Sequence, residues 1–253
     1  MIPVLLNIGP LPVYSFGLMM VLGFLGAWSL LYKILEAHGE PTELAEKLVF
    51  WCALGGVFGA RIGYILSFPE LFFQDPIAAV FSSAGFVFLS GFIGGVLSFC
   101  WVVYTSNVSF LRYADFCAPC LMVGYAIGRV GCQLSGDGDY GIASTVPWAM
   151  SYGLGVVPTP IGVNVHPTPV YETIFALCAA VVLYQLLKTK KLTGEGKVFG
   201  VYLLLSGISR FLVEFIRVEP VVLFNLTQAQ VVSVLLVLIG SLLLSIKSKS
   251  IAT

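Results

Sequence analysis

The sequence predicts an all-α integral membrane protein that crosses the bilayer seven times, with its N-terminus outside and its C-terminus in the cytoplasm. Three observations lead there. Apolar residues make up 58% of the 253 residues and the mean hydropathy is +0.96, more apolar surface than a water-soluble domain of this length carries. The apolar residues gather in runs of about 20, the length a helix needs to cross a hydrocarbon core. Lysine and arginine fall unevenly on alternate connections, which fixes orientation.

The expected spans are 13–35, 48–68, 85–104, 113–132, 169–187, 198–217 and 228–246, read as one transmembrane domain over 1–253. Lys33, Lys47, Arg112, Lys188, Lys190, Lys191, Lys197, Lys247 and Lys249 fall toward one side, and apart from arginines within the spans only Arg217, at the very end of the sixth, falls toward the other. The basic side is the cytoplasmic one. The start of the chain has neither a basic region nor a small-residue cleavage site, so no cleavable signal peptide is expected.

Each connection follows the same logic. The stretch 69–84 is apolar and aromatic and reads as lying partly in the interface, where aromatic rings settle. The segment 133–168 is a long external loop, rich in Gly and Pro, with Trp148 and Tyr152 and no lysine or arginine. The basic segment 188–197 suits a topology signal that touches anionic lipid heads. The formal net charge of +0 implies no polyelectrolyte partner, so no nucleic acid is expected. Six cysteines show no zinc spacing and read as small core residues, although Cys117 and Cys120 stand one helical turn apart. No Walker loop, serine elbow or dinucleotide fingerprint is present, and neither a metal nor a cofactor is expected.

Only 10% of residues are charged, so each charge inside a span needs a reason. Arg61, Arg129 and Arg210 lie late in the second, fourth and sixth spans, which places all three in the outer half of the bilayer. Guanidinium groups at one depth repel one another unless an anion sits among them, or unless each snorkels or meets a carbonyl.

Three constellations surround these arginines. The first is 128–141, GRVGCQLSGDGDYG, where Arg129 is followed by Asp137 and Asp139; these aspartates suit a general base, a partner for Arg129, or a cation site with too few ligands of its own. In the second, Arg210, Glu214 and Arg217 are spaced by four and three and share a helix face, as an ion-pair ladder or as the wall of an anion pocket. The third is 166–172, HPTPVYE. Pro167 and Pro169 fix an extended approach to the fifth span, His166 suits a proton carrier or a cap, and Glu172 suits the helix N-terminus. Tyr171 in this segment, and Tyr64 beside Arg61 among small residues, join the arginines and Glu214 as expected substrate contacts.

These segments resemble the prolipoprotein diacylglyceryl transferase family. GARIGYIL (59–66), GRVG (128–131), HPTPVYE (166–172), RFLVEFIR (210–217) and LTQAQVVS (226–233) occur in that family's order, and Gly9-Pro10 with Phe16-Gly17-Leu18-Met19 resembles its first span. The resemblance implies a multi-pass enzyme of the bacterial inner membrane, with its site toward the outer leaflet. Such an enzyme moves the diacylglyceryl group of phosphatidylglycerol to the lipobox cysteine of a prolipoprotein signal peptide and releases glycerol phosphate. It also implies that Arg129 and Arg210 handle phosphate, with Glu214 beside them.

Departures accompany the match. Leu89 stands where the family has a histidine, in Phe88-Leu89-Ser90-Gly91. Phe16 and Ser206 replace tyrosines, Cys132 replaces an asparagine, and the usual acidic position appears as Asp137. A base, where one is needed, then falls to Asp137, Asp139 or His166. Two other readings share the arginine frame: a transferase with a different acceptor, and a non-catalytic phospholipid-binding or transport protein.

Overall fold

A computed structural model describes residues 1–9, 11–81, 87–189, 192, 194–223 and 225–246. Pro10, Gly85, Lys190, Lys191, Lys247 and Lys249, on which parts of the sequence reading rest, lie outside them, as do 82–84 of the interfacial stretch. The chain divides into two compact units, Met1–Ser29 with Ala114–Thr253, and Leu30–Tyr113.

The elements run β1 (Val4–Ile8), β2 (Leu11–Tyr14), α1 (Ser15–Ala37), α2 (Glu43–Ser67), α3 (Pro69–Gln74), α4 (Pro76–Phe81), α5 (Phe88–Thr105), α6 (Phe110–Ser135), α7 (Thr168–Thr189), α8 (Lys197–Val213), β3 (Val221–Leu223), β4 (Leu226–Thr227) and α9 (Gln228–Ser245). Among the described residues six helices are long and apolar enough to cross a membrane, and the apolar Leu89–Thr105 is shorter.

The two hairpins add to the expected all-helical chain. Val13 was expected inside the first span, yet it pairs with Leu6 in an antiparallel hairpin and the helix begins at Ser15. Apolar composition alone does not separate a short strand from the helix that follows it. α2 begins five residues before the expected 48, because Glu43 and Glu46 suit the positive end of a helix although they fail a hydropathy criterion. Two short helices, α3 and α4, occupy the aromatic stretch after α2.

In the unit Leu30–Tyr113, α2 and α5 lie in close contact along small residues. A Cβ added to Gly94 would lie 2.2 Å from the Gly55 carbonyl oxygen, so only glycine permits this approach. Arg61 is buried in this unit and donates from Nε to the Val80 carbonyl at 2.9 Å. Its guanidinium lies 5.8 Å from the centre of the Tyr64 ring. Glu40 accepts from Tyr113 Oη at 2.8 Å and pairs with Arg112 at 2.6 Å.

The other unit carries β1, β2, most of α6, and α7 to α9. Asp115 on α6 accepts from the backbone N–H groups of Gly196 and Phe199, both at 2.7 Å, which satisfies the N-terminus of α8. Lys197 Nζ donates to the carbonyls of Leu243 and Leu244 at the far end of α9. α9 opens with a capping box: Thr227 Oγ1 accepts from Gln230 N at 3.2 Å while Gln230 Oε1 accepts from Thr227 N at 3.0 Å. Between α6 and α7 the chain forms no helix or named strand; Val165 bridges to both Ala143 and Met150.

Candidate active site

α6 presents Tyr125 and Arg129 one helical turn apart, the spacing that puts two side chains on one face. α8 presents Arg210 near its end. The chain then tightens into a 3₁₀ turn, Glu214–Ile216, which carries Glu214 and delivers Arg217. α7 supplies Glu172, and the loop after α6 supplies Asp139.

These residues close a ring of alternating charge. Arg129 Nη1 pairs with Asp139 Oδ2. Asp139 Oδ1 meets Arg217 Nη2 at 2.6 Å, and Arg217 Nε lies 3.7 Å from Glu214 Oε2. Glu214 Oε2 meets Arg210 Nη2 at 3.1 Å, and Arg210 Nη1 meets Glu172 Oε1 at 3.2 Å. Glu172 Oε2 completes the circuit, 3.3 Å from Arg129 Nε. Three guanidinium groups therefore alternate with three carboxylates, and Glu219 Oε1 adds a fourth from outside the ring, 2.7 Å from Arg217 Nη2.

The ring has a buried side and an accessible one. Glu172 and Glu214 are 2% and 4% exposed, whereas the Arg210 side chain is 26% exposed, the most open cation of the ring. Two outer contacts hold the acids: Tyr125 Oη donates to Glu172 Oε1 at 2.5 Å, and Thr227 Oγ1 donates to Glu214 Oε1 at 2.7 Å. The Arg129 guanidinium also lies 5.0 Å from the centre of the Tyr125 ring. A groove of about 330 Å³ opens beside Glu172, walled by Tyr171, Phe175, Ile208 and Leu212.

The two aspartates differ. Burial pushes the Asp139 carboxyl upward, but the positive charges of Arg129 and Arg217 outweigh it and hold the group at about 2. Its backbone carbonyl accepts from Thr168 Oγ1 and from Arg217 Nη1, the latter at 3.1 Å. Burial and the charge of Asp139 raise Asp137 from its ordinary value, against the hydrogen bond it accepts from the Asp139 N–H at 3.3 Å. Ligand atoms of Cys132, Asp137 and Asp139 lie within 4.8 Å of one another. Ion pairs with two guanidiniums leave Asp139 little charge to offer a cation.

The backbone between the aspartates and α6 depends on glycine. Gly136 has φ +61° and a Cβ there would lie 2.7 Å from Gly155 Cα, so a side chain is excluded on both counts. Farther along, His166 Nδ1 lies 3.1 Å from Tyr171 Oη, which accepts from Trp148 Nε1 at 2.7 Å.

Arg129, Arg210, Glu214 and Asp139 thus come together, and Tyr171 lines the groove beside Glu172. Arg61 and Tyr64 belong to the unit Leu30–Tyr113. Glu172 does not act at the end of its helix as expected. α7 begins at Thr168, Glu172 lies beyond its first turn, and its carboxylate meets Arg129 and Arg210 instead. Sequence reasoning passed over Tyr125, whose only signal was its place one turn before Arg129. Of the positions that depart from the family, Cys132 Sγ lies 3.8 Å from Arg129 Nη1. Leu89 is exposed.

Comparison with known proteins matches residues 3–246 to the family model described as prolipoprotein diacylglyceryl transferase. Phosphatidylglycerol–prolipoprotein diacylglyceryl transferase of Acinetobacter baumannii (strain SDF) is 34% identical over 251 residues, covering 94% of this chain and 89% of the relative. The protein of the same name from Pseudomonas fluorescens (strain Pf0-1) is 35% identical over 253 residues, covering 96% and 91%. That of Pseudomonas putida (strain F1) is 34% identical over 248 residues, covering 94% and 91%. With a match along nearly its whole length, the chain belongs to the prolipoprotein diacylglyceryl transferase family.

Proposed function

We propose that Arg129 and Arg210 form the phosphate clamp of a membrane transferase that moves the diacylglyceryl group of phosphatidylglycerol to the lipobox cysteine thiol of a prolipoprotein. The enzyme class follows from the family and from relatives of that name. One observation carries the clamp: both arginines reach the same carboxylate, Glu172, at 3.3 and 3.2 Å. Two guanidiniums able to bracket one oxyanion suit a phosphodiester, whose oxygens accept from planar N–H donors.

The reaction breaks the bond between the glyceryl carbon and the phosphate oxygen. A base takes the thiol proton, the thiolate sulfur bonds to the glyceryl carbon, and the electron pair of the broken bond leaves on the phosphate. Charge on the phosphate grows as glycerol phosphate departs, and the arginines stabilise that growth. Asp139 is committed to Arg129 and Arg217, so it serves the ring. Asp137 supplies the base, since burial and the neighbouring Asp139 raise its affinity for a proton, and His166 is the second candidate.

We further propose that α5 completes seven crossings, its 18 residues reaching about 27 Å at the helical rise, with the N-terminus outside and the ring in the outer half of the inner membrane. The distribution of lysine and arginine supports that orientation. Membrane lipids surround the helices, and Glu214 and Tyr171 flank the bound lipid. The test is transfer from phosphatidylglycerol to a lipobox peptide by purified protein. Arg129→Gln and Arg210→Gln are each expected to lower kcat/KM by about 100-fold or more. Unchanged activity in both removes the clamp assignment.

A further inference from the structure

The ring leaves an unresolved electrostatic question. Its three cations are already matched by three carboxylates, so a phosphodiester entering between Arg129 and Arg210 brings an uncompensated negative charge. The space it would take is held by Glu172.

We propose that Glu172 is an internal competitor for the phosphate clamp: it bridges Arg129 and Arg210 when no lipid is bound, yields that place to the phosphodiester, and returns to expel glycerol phosphate. The proposal rests on the clamp reading given above. Glu172 is held in a way that permits exchange. Its Oε2 faces Arg129 Nε at 3.3 Å but makes no hydrogen bond, so leaving costs that oxygen no directed contact. Its Oε1 is shared between Tyr125 Oη and Arg210 Nη1. The groove beside it offers a route by which a ligand can come up to the carboxylate. The other two acids are placed differently. Asp139 is bound through both carboxylate oxygens and its carbonyl. Glu214, whose Oε2 likewise makes no hydrogen bond, faces Arg210 and Arg217 rather than the pair Arg129 and Arg210, and it does not line the groove.

The exchange favours turnover in one direction. Phosphatidylglycerol carries one negative charge on its phosphate. Bond breaking leaves a glycerol phosphate monoester with up to two, and a carboxylate repels that product more strongly than it repels the substrate. Glu172 thereby weakens binding of both but speeds release of the product. It is a positioning residue that acts through the two arginines.

The test compares inhibition by glycerol phosphate with steady-state kinetics on phosphatidylglycerol and a lipobox peptide. Glu172→Gln is expected to lower the inhibition constant for glycerol phosphate and the KM for phosphatidylglycerol by about tenfold each, while kcat falls because release becomes limiting. Glu172→Asp, which restores the charge, should return the inhibition constant toward the parent value. An inhibition constant and KM that both rise in Glu172→Gln overturn the proposal, because Glu172 would then only hold the arginines in place. Tyr125→Phe keeps the carboxylate and removes its tether, and serves if Glu172→Gln does not fold. It should lower the inhibition constant about threefold, and an unchanged or raised value overturns the proposal. Arg129→Gln and Arg210→Gln are run beside these. If neither weakens glycerol phosphate binding, the clamp reading fails; if both do and Glu172→Gln fails to strengthen it, only the competitor is refuted.

Discussion

Arg217 grips Asp139 by side chain and backbone together: Nη2 meets Oδ1 at 2.6 Å and Nη1 meets the carbonyl oxygen at 3.1 Å. The contact ties the loop after α6 to the end of α8. Arg217→Gln would leave Asp139 and Glu214 short of a partner in a buried setting. A loss of about 3–5 kcal/mol is expected, read as a lower thermal unfolding midpoint in detergent. Arg217→Lys should recover only part of it, because an ammonium cannot reproduce the planar fork. A midpoint within a degree of the parent would show the ring to be dispensable for stability.

Acid should weaken the same link. The Asp139 group titrates at about 2 in the folded chain against 3.8 for the free side chain. Its contribution is fully present above the unfolded value and is lost as pH falls from roughly 4 toward 2. A plot of unfolding midpoint against pH should drop through that window, and Asp139→Asn should remove that part of the drop. An identical curve in the variant would refute the assignment.

Asp137 carries the opposite sign. Its group is raised in the folded chain, so its ionised form is disfavoured there and opposes folding at neutral pH. Asp137→Asn should therefore unfold no earlier than the parent at pH 7, while turnover falls by about 100-fold if the residue takes the thiol proton. His166→Gln is expected to cost less than tenfold. The reverse order of losses would move the base to His166.

In the unit Leu30–Tyr113, a contrast between adjacent glycines tests the packing. A Cβ on Gly94 would meet the Gly55 carbonyl at 2.2 Å, whereas one on Gly95 would lie 3.7 Å from the Cys52 carbonyl. Gly94→Ala should sharply reduce the yield of folded protein on size-exclusion chromatography, and Gly95→Ala should leave it intact. Equal yields would mean that α2 and α5 separate more readily than their contact suggests.

Much of this architecture was legible in the sequence. Spans 169–187 and 228–246 fall within one or two residues of α7 and α9, because apolar runs bounded by Pro169 and by the Thr227 cap leave little choice. The helix face carrying Arg210, Glu214 and Arg217 followed from spacing, and the 3₁₀ turn preserves it. Glu172 was misjudged because a local rule, acid near a helix start, competed with long-range partners 38 and 43 residues away in the chain. The expected anion among the arginines was sought in a ligand, yet between Arg129 and Arg210 it is a residue of the chain. Nor does periodicity report a short strand, so the hairpin of β1 and β2 merged with the first span.

The ring also has an order of construction. Arg129 has Asp139 ten residues ahead of it, but the Asp139–Arg217 link joins residues 78 positions apart, and Glu214 gains its hydroxyl donor only from Thr227 at the head of the last helix. A nascent chain inserted through α7 therefore holds Arg129, Asp139 and Glu172 without the cations of α8. The charge circuit closes only when the penultimate helix arrives, and it is fully supported only when the last one docks. A chain interrupted before Thr227 would hold all six charges of the ring yet leave Glu214 Oε1 without its hydroxyl donor.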